Sequence, residues 1–227
     1  MINTQLKTSK KAISTVLCAL LIAGFISCKD NNGPTDNDNP CPECDTCLLI
    51  TDINNPPVIT EPTCIKFDDA ITKIPDRLYN FFCSLEQGNI TGICGKNIDS
   101  IGDGAFTRNR IELLCLQSTK YIGAGAFSAN QLSTLDLPNT VYIGAGAFVQ
   151  NHLTTLILSS IAYIGTFAFT SNPDLIEIHI YTDPALLELG YDILENTNTI
   201  TIYIKNPSWK KAMEEKFKGY NVAVKVL

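Results

Sequence analysis

Apolar residues recur along the middle of the chain on a fixed beat. Ile101-Gly102-Asp103-Gly104-Ala105-Phe106 returns as Ile122 to Phe127, as Ile143 to Phe148 and as Ile164-Gly165-Thr166-Phe167-Ala168-Phe169, each copy 21 residues after the last. Between these blocks a second apolar set keeps the same period: Ile111, Leu114 and Leu116, then Leu132, Leu135 and Leu137, then Leu153, Leu156 and Leu158. Asparagine follows it too, at Asn109, Asn130, Asn151 and Asn172. Weaker copies flank the array, with Ile74-Pro75-Asp76-Arg77-Leu78-Tyr79 before it and Leu189-Gly190-Tyr191-Asp192-Ile193-Leu194 after it. Self-similarity at so short a period predicts a stack of about six coils.

In Leu135-Asp136-Leu137 two inward leucines alternate around an outward residue, the period of a strand, and so short a repeat can only set such strands side by side and parallel. One coil cannot bury its own leucines, so stacking supplies the core. The glycine after each isoleucine marks a backbone position needing positive φ or close approach. Alanine followed by phenylalanine sends one small and one large group into the stack, and Phe106, Phe127, Phe148 and Phe169 are expected to form an internal spine. The recurring asparagine is expected to bond its amide to turn backbone in each coil, a structural role. Beyond the array, Asn206 as N-cap, Pro207 in the first turn and Gly219 as the stop predict a helix from Pro207 to Lys218. It carries Trp209, Met213 and Phe217 at helical spacing to cover the open end of the core, and a last strand runs from Asn221 to Leu227.

Leu132-x-x-Leu135-x-Leu137-Pro138-x-x-Val141 followed by Ile143-Gly144-x-x-Ala147-Phe148-x-x-Asn151 resembles the repeat of the BspA-like (Treponema pallidum-type) leucine-rich repeat family. One residue is missing before Ile143 and one after Asn151, the family's usual coil being a little longer. The resemblance covers residues from about 70 to 227. It implies an α/β fold, a leucine-rich-repeat solenoid with a parallel β-sheet on the concave face, turns or short helical segments on the convex face, and a C-terminal helix-strand cap. It also implies a secreted or surface lipoprotein associated with adhesion to host proteins or other cells, and no enzyme.

Residues 1–27 carry Lys7, Lys10 and Lys11, no acid, and an uncharged stretch from Ala12 to Ser27 too short to span a membrane comfortably. The run ends in Phe25-Ile26-Ser27-Cys28 and turns polar at Lys29-Asp30, which resembles a bacterial lipobox with Cys28 as the lipidated residue. From Lys29 to Thr63 six of the eleven prolines, with many Asn and Asp residues, read as a tether. The chain thus divides into a lipoprotein signal peptide (1–27), a tether (28–63), an N-terminal cap with a degenerate first repeat (64–100), the repeats (101–204) and a C-terminal cap (205–227). The expected location is the outer membrane, exposed at the cell surface and held by the lipid anchor alone.

Composition changes the picture in two ways. The formal charge of -6 becomes -9 once residues 1–27 and their three lysines are removed, so no basic surface exists on the scale a phosphate backbone demands, and nucleic acid is excluded as a partner. The nine cysteines, in a chain read as exported, suit disulfides. Cys41, Cys44 and Cys47 form a C-x-x-C-x-x-C run whose spacing also fits three cluster ligands, so disulfide, metal-bound and free or intermolecular thiols all stay open for it. Cys94 and Cys115 fall one repeat apart at equivalent places, a candidate cross-strand disulfide against separate thiols or other pairings.

Outward residues of neighbouring strands line the expected concave sheet, where repeat proteins bind. One row reads Cys94, Cys115, Asp136, Ile157, His179 and Tyr203, the next Gly92, Leu113, Thr134, Thr155, Glu177 and Thr201. Asp136, Ile157, His179, Tyr203, Thr134, Thr155 and Glu177 are the candidate ligand-binding residues. Asp136, His179 and Glu177 are read as unrelated polar residues on separate coils, not as an acid-base or metal set. No Ser-His-Asp order, phosphate loop or H-E-x-x-H occurs, and Gly123-Ala124-Gly125 belongs to a repeat turn. Neither catalysis nor a metal or other cofactor is expected. The expected role is binding of a host or bacterial surface protein or glycan, with an envelope redox or metal-binding protein built on Cys41, Cys44 and Cys47 as the alternative.

Overall fold

The computed structural model describes residues 47–79, 88–194 and 199–227. Residues 1–27, read above as a signal peptide, and Cys28, Cys41, Cys44 and Cys83 lie outside them. Each repeat contributes one longer strand and one two-residue strand. The longer strands are β1 (Leu48–Ile50), β2 (Thr63–Phe67), β4 (Ile90–Cys94), β6 (Leu113–Cys115), β8 (Thr134–Leu137), β10 (Thr155–Leu158), β12 (Glu177–Ile180) and β14 (Ile200–Ile204), closed by β15 (Val222–Val226). The short ones are β3 (Lys73–Ile74), β5 (Ser100–Ile101), β7 (Tyr121–Ile122), β9 (Tyr142–Ile143), β11 (Tyr163–Ile164) and β13 (Glu188–Leu189). All pairings are parallel. Among the described residues they make three sheets, β1-β2-β4-β6, β8-β10-β12-β14-β15 and β3-β5-β7-β9-β11-β13. The result is a solenoid of stacked coils with its core between long and short strands, as the repeat predicts.

Among the described residues, two-residue strands and turns occupy the side opposite the longer strands, so of the turns or short helical segments expected on that face it is the turns that form. A 21-residue period leaves no room for a helix once two strands and an asparagine turn are placed. The sheet also begins earlier than the sequence suggests. Leu48–Ile50 lies within the stretch read as tether, pairs with β2, and buries Ile50 against the core. Three apolar residues amid prolines carry too little periodicity to be read as a strand.

Inside the stack Phe106, Phe127, Phe148 and Phe169 form the expected spine, with ring centroids 5.5, 5.4 and 5.7 Å apart and near-parallel planes. Tyr79 extends it by a further stacked ring at 6.3 Å. The asparagines do more than hold their own turns. Asn151 is buried, and its Nδ2 donates to Phe148 O of its own coil at 3.1 Å and to Phe127 O of the preceding coil at 3.0 Å. Its Oδ1 accepts from the Leu132 N–H of the preceding coil at 3.1 Å. Asn130 and Asn172 repeat this pattern, and Asn109 applies it to Tyr79, Phe106 and Ile90. Threonine adds a second rung, Thr140 Oγ1 donating to Thr119 O and Thr119 Oγ1 to Ile98 O, both at 2.8 Å.

The glycine after each isoleucine is there for close approach. A Cβ on Gly123 would stand 2.6 Å from Asp103 N and 2.7 Å from the Gly102 carbonyl carbon in the coil before. Positive φ falls two residues later, at Gly104, Gly125 and Gly146, and in the fourth coil on Phe167 at +59°. The C-terminal cap matches its prediction closely. Asn206 caps a 3-10 turn, Pro207–Trp209, by accepting from Ser208 N, and the α-helix α1 (Lys210–Lys216) follows, burying Met213, with Phe217 at its C-cap also buried. Trp209 packs on the core half-buried. The helix stops before Lys218 because Phe217 leaves helical geometry and Gly219 takes φ +98°. Among the described residues no helix is long and apolar enough to cross a membrane.

Two predictions follow from the inter-coil bonds. Asn151→Ala should lower the unfolding free energy by about 2–4 kcal/mol, because the buried Leu132 N–H loses its partner and a gap opens beside the spine. Asn139→Ala, whose amide is exposed, should stay within about 1 kcal/mol, and urea unfolding separates the two. Gly123→Ala should cost about 2–3 kcal/mol by forcing the coils apart. Phe167→Gly, at a half-exposed left-handed position, relieves about 1–2 kcal/mol of backbone strain while loosening the unfolded chain, so its thermal midpoint should fall less than that of Gly123→Ala.

Candidate functional site

Buried and outward residues alternate along the longer strands, and this decides which side chains are available. In β10 and β12 Leu156, Leu158, Ile178 and Ile180 are buried, which turns Thr155, Ile157, Glu177 and His179 outward. Parallel in-register pairing then aligns equivalent positions. Thr134, Thr155, Glu177 and Thr201 are successive partners, as are Asp136, Ile157, His179 and Tyr203. Both candidate rows are therefore real rows on one sheet face. Towards the N-terminus they end at a sheet boundary, since Cys94 and Cys115 pair with one another in the separate sheet β1-β2-β4-β6.

The C-terminal half of this face gathers aromatic and charged groups. The His179 ring stacks on Tyr203 with centroids 4.8 Å apart and meets Tyr181 edge-on at 6.2 Å. His179 Nδ1 and the Tyr181 hydroxyl share a hydrogen bond of 3.1 Å, while Nε2 lies 3.8 Å from Glu177 Oε2. Lys205 Nζ sits 4.0 Å over the Tyr181 ring and Lys225 Nζ 6.0 Å over the Tyr203 ring. Each ammonium is attracted by the negative face of its ring. The cluster is thus a preformed patch of two tyrosines, one imidazole, two lysines and one carboxylate. It can offer ring edges, hydroxyl donors and positive charge to a ligand without first ordering its side chains.

Of the candidate residues, the structure brings Glu177, His179 and Tyr203 into one constellation. Asp136 stands two strands from His179, beyond Ile157, and does not join them, whereas Glu177 and His179, read as unrelated residues of separate coils, share β12 and face one another because they are two residues apart on its outward side. Tyr181, Lys205 and Lys225 escaped the sequence reading. Tyr181 and Lys205 lie two residues beyond His179 and Tyr203 on the same alternation, a signal that was present. Lys225 needed knowledge that β15 pairs with β14, which places it beside Tyr203. A second feature also keeps the repeat period: Tyr121, Tyr142 and Tyr163 stack on the short-strand sheet at 4.6 and 4.8 Å. The lysine-rich helix face carries compensating acids, with Lys210 facing Glu214 at 3.9 Å and Lys218 facing Glu215 at 3.4 Å, as a solvated surface does.

The cysteines also find a site. Cys47 and Cys64 form a disulfide with Cα atoms 4.8 Å apart, a pairing the sequence left unassigned. The Cys94 sulfur lies within 4.8 Å of both of theirs. Cys94 and Cys115, the candidate cross-strand pair, are register partners, and both are buried.

Partial burial against the sheet, next to Ile157, raises the Asp136 pKa above the ordinary carboxylate range. A raised carboxyl costs stability as pH climbs from its unfolded pKa through its folded one, and the cost is complete above both. Asp136→Asn should therefore stabilise the fold at about pH 7, and the gain should vanish by about pH 3, where both side chains are neutral. Urea unfolding of the two proteins at both pH values measures it.

No curated protein and no solved structure matches the chain. The family described as BspA type Leucine rich repeat region matches in six copies, over residues 60–152 and 99–223. These spans include the coils from β2 to β14, and the solenoid such repeats build is typically a non-catalytic scaffold for protein interactions. The chain belongs to the BspA type leucine-rich repeat family.

Proposed function

We propose that the protein is a surface-displayed lipoprotein of the outer membrane, anchored through Cys28, whose solenoid recognises a protein or glycan of a host or bacterial surface and performs no catalysis. The observation that carries this reading is the cluster of His179, Tyr203, Tyr181, Lys205, Lys225 and Glu177 on the outer face of the long-strand sheet. Half-buried tyrosine is one of the residue types that carry most of the binding energy when a partner covers it, and here the stack of coils holds it rigid beforehand. Thr155, Thr134 and Asp136 continue the face as a polar surround. The leader, with its lipobox, supports the anchor, and the proline-rich stretch behind Cys28 would hold the solenoid clear of the bilayer. The alternative seated in Cys41, Cys44 and Cys47 is weakened, because Cys47 is held in a bridge to Cys64.

Binding of the purified mature protein to fixed cells and to arrays of surface proteins and glycans tests the reading. Tyr203→Ala and the double variant Lys205→Ala, Lys225→Ala should each weaken capture by at least about 10-fold, while Lys211→Ala on the helix leaves it unchanged. Equal capture by all variants would move the site off this face. Intact mass of protein taken from its own membranes should show an acyl adduct on Cys28, and protease added to whole cells should remove the solenoid. An unmodified Cys28 would overturn the anchor.

A further inference from the structure

The N-terminal edge of the solenoid holds three sulfurs that neither the recognition face nor the repeat requires. Cys47 immediately precedes β1, Cys64 lies in β2 and Cys94 in β4, so three hydrogen-bonded neighbouring strands hold them. Ile65 and Ile93 point into the core, which turns Cys64 and Cys94 to the opposite side of the sheet, where Cys64 is half-buried and Cys94 buried. Gly92 leaves the room between them: the Cys64 sulfur sits 3.0 Å from where a Gly92 Cβ would stand. All three sulfurs lie within 4.8 Å of one another. Tetrahedral zinc with Zn–S bonds of about 2.3 Å sets its sulfurs about 3.8 Å apart. Shifts of about 1 Å, or slightly more for the bonded pair as it separates, would reach that geometry.

We propose that opening the Cys47–Cys64 bridge creates, together with Cys94, a three-thiolate site for one thiophilic d10 cation, with Zn2+ as its ion. A dithiol reductant supplies two electrons and two protons to the S–S bond and is itself oxidised to a disulfide, leaving Cys47 and Cys64 as thiols. The same treatment opens any other pairing of Cys94. Zn2+ then displaces three thiol protons, and a water completes the tetrahedron. The site is distinct from the C-x-x-C-x-x-C run, sharing only Cys47 with it. In the oxidised state the bridge ties β1 to the sheet, and in the reduced state the metal takes over that tie.

The test uses the full chain with Cys18, Cys28, Cys41, Cys44, Cys83 and Cys115 replaced by Ser, so that only the three proposed ligands remain. Cd2+ serves as the spectroscopic probe, through thiolate-to-metal charge-transfer absorption, followed by Zn2+ competition against a chromophoric chelator. The oxidised chain should bind neither ion there. After reduction with a phosphine under nitrogen it should bind one equivalent. Adding Cys94→Ser, or separately Cys94→Ala, should weaken binding by about 100-fold or more, while circular dichroism of the oxidised variants stays native because the bridge is intact. Hydrogen exchange supplies a second readout: amides of Leu48–Ile50 should exchange faster on reduction and regain protection with Zn2+. Undiminished binding in both Cys94 variants would overturn the proposal. So would a three-cysteine chain that binds no Cd2+ while the native reduced chain does, which would place the metal on Cys41 and Cys44.

Discussion

A buried asparagine amide that bonds two coils at once is the interaction on which the rest of this structure depends. Each of Asn109, Asn130, Asn151 and Asn172 donates to a carbonyl of its own turn and one of the preceding turn, and accepts an N–H from the preceding coil. A turn buried in a stack exposes carbonyls and amides that water cannot reach, and leaving them unmet would cost about 1–3 kcal/mol each. The side chain meets them and in doing so sets the offset between coils. Once that offset is set, the phenylalanines stack, the Gly123 type of contact is required, and the longer strands fall into parallel register.

Register is what turns a repeat into a recognition surface. Because side chains alternate across a strand, one in-register pairing carries outward residues of consecutive coils into straight rows. The aromatic and cationic groups of β12, β14 and β15 meet for that reason, though they come from residues far apart in the chain. The same rule serves the N-terminal edge, where cysteines from three coils converge over a glycine. From coil to coil the core positions keep their residue types, while an outward row reads Asp136, Ile157, His179 and Tyr203, and this division lets a solenoid keep one scaffold and alter what it presents.

Much of this was readable from residues alone, and the reason is locality. The phenylalanine spine, the strand in Leu135-Asp136-Leu137, the rows through Thr155 and His179 and the capping helix all follow from patterns within a few residues or one repeat. The readings that changed involve contacts between coils. Asn151 gives no sign in its own turn that it reaches Phe127, and Gly123 shows no sign that it lies against Asp103. Leu48-Leu49-Ile50 is too short to announce a strand, and Cys64 has no repeat mate to suggest that Cys47 is its partner.

The sequence by itself determined the period, the parallel stacking, the longer strands of the repeats and the order of outward residues along them, because each of these is a consequence of side-chain alternation within a repeat of constant length. Only the tertiary structure decided which groups touch: His179 on Tyr203, Lys205 over Tyr181, Lys225 beside the tyrosine of the strand before it, and Cys47 bonded to Cys64 near Cys94. Those contacts join coils, and they depend on the rise and rotation from one coil to the next, which interlocking backbone hydrogen bonds and packed rings set together and no single repeat specifies.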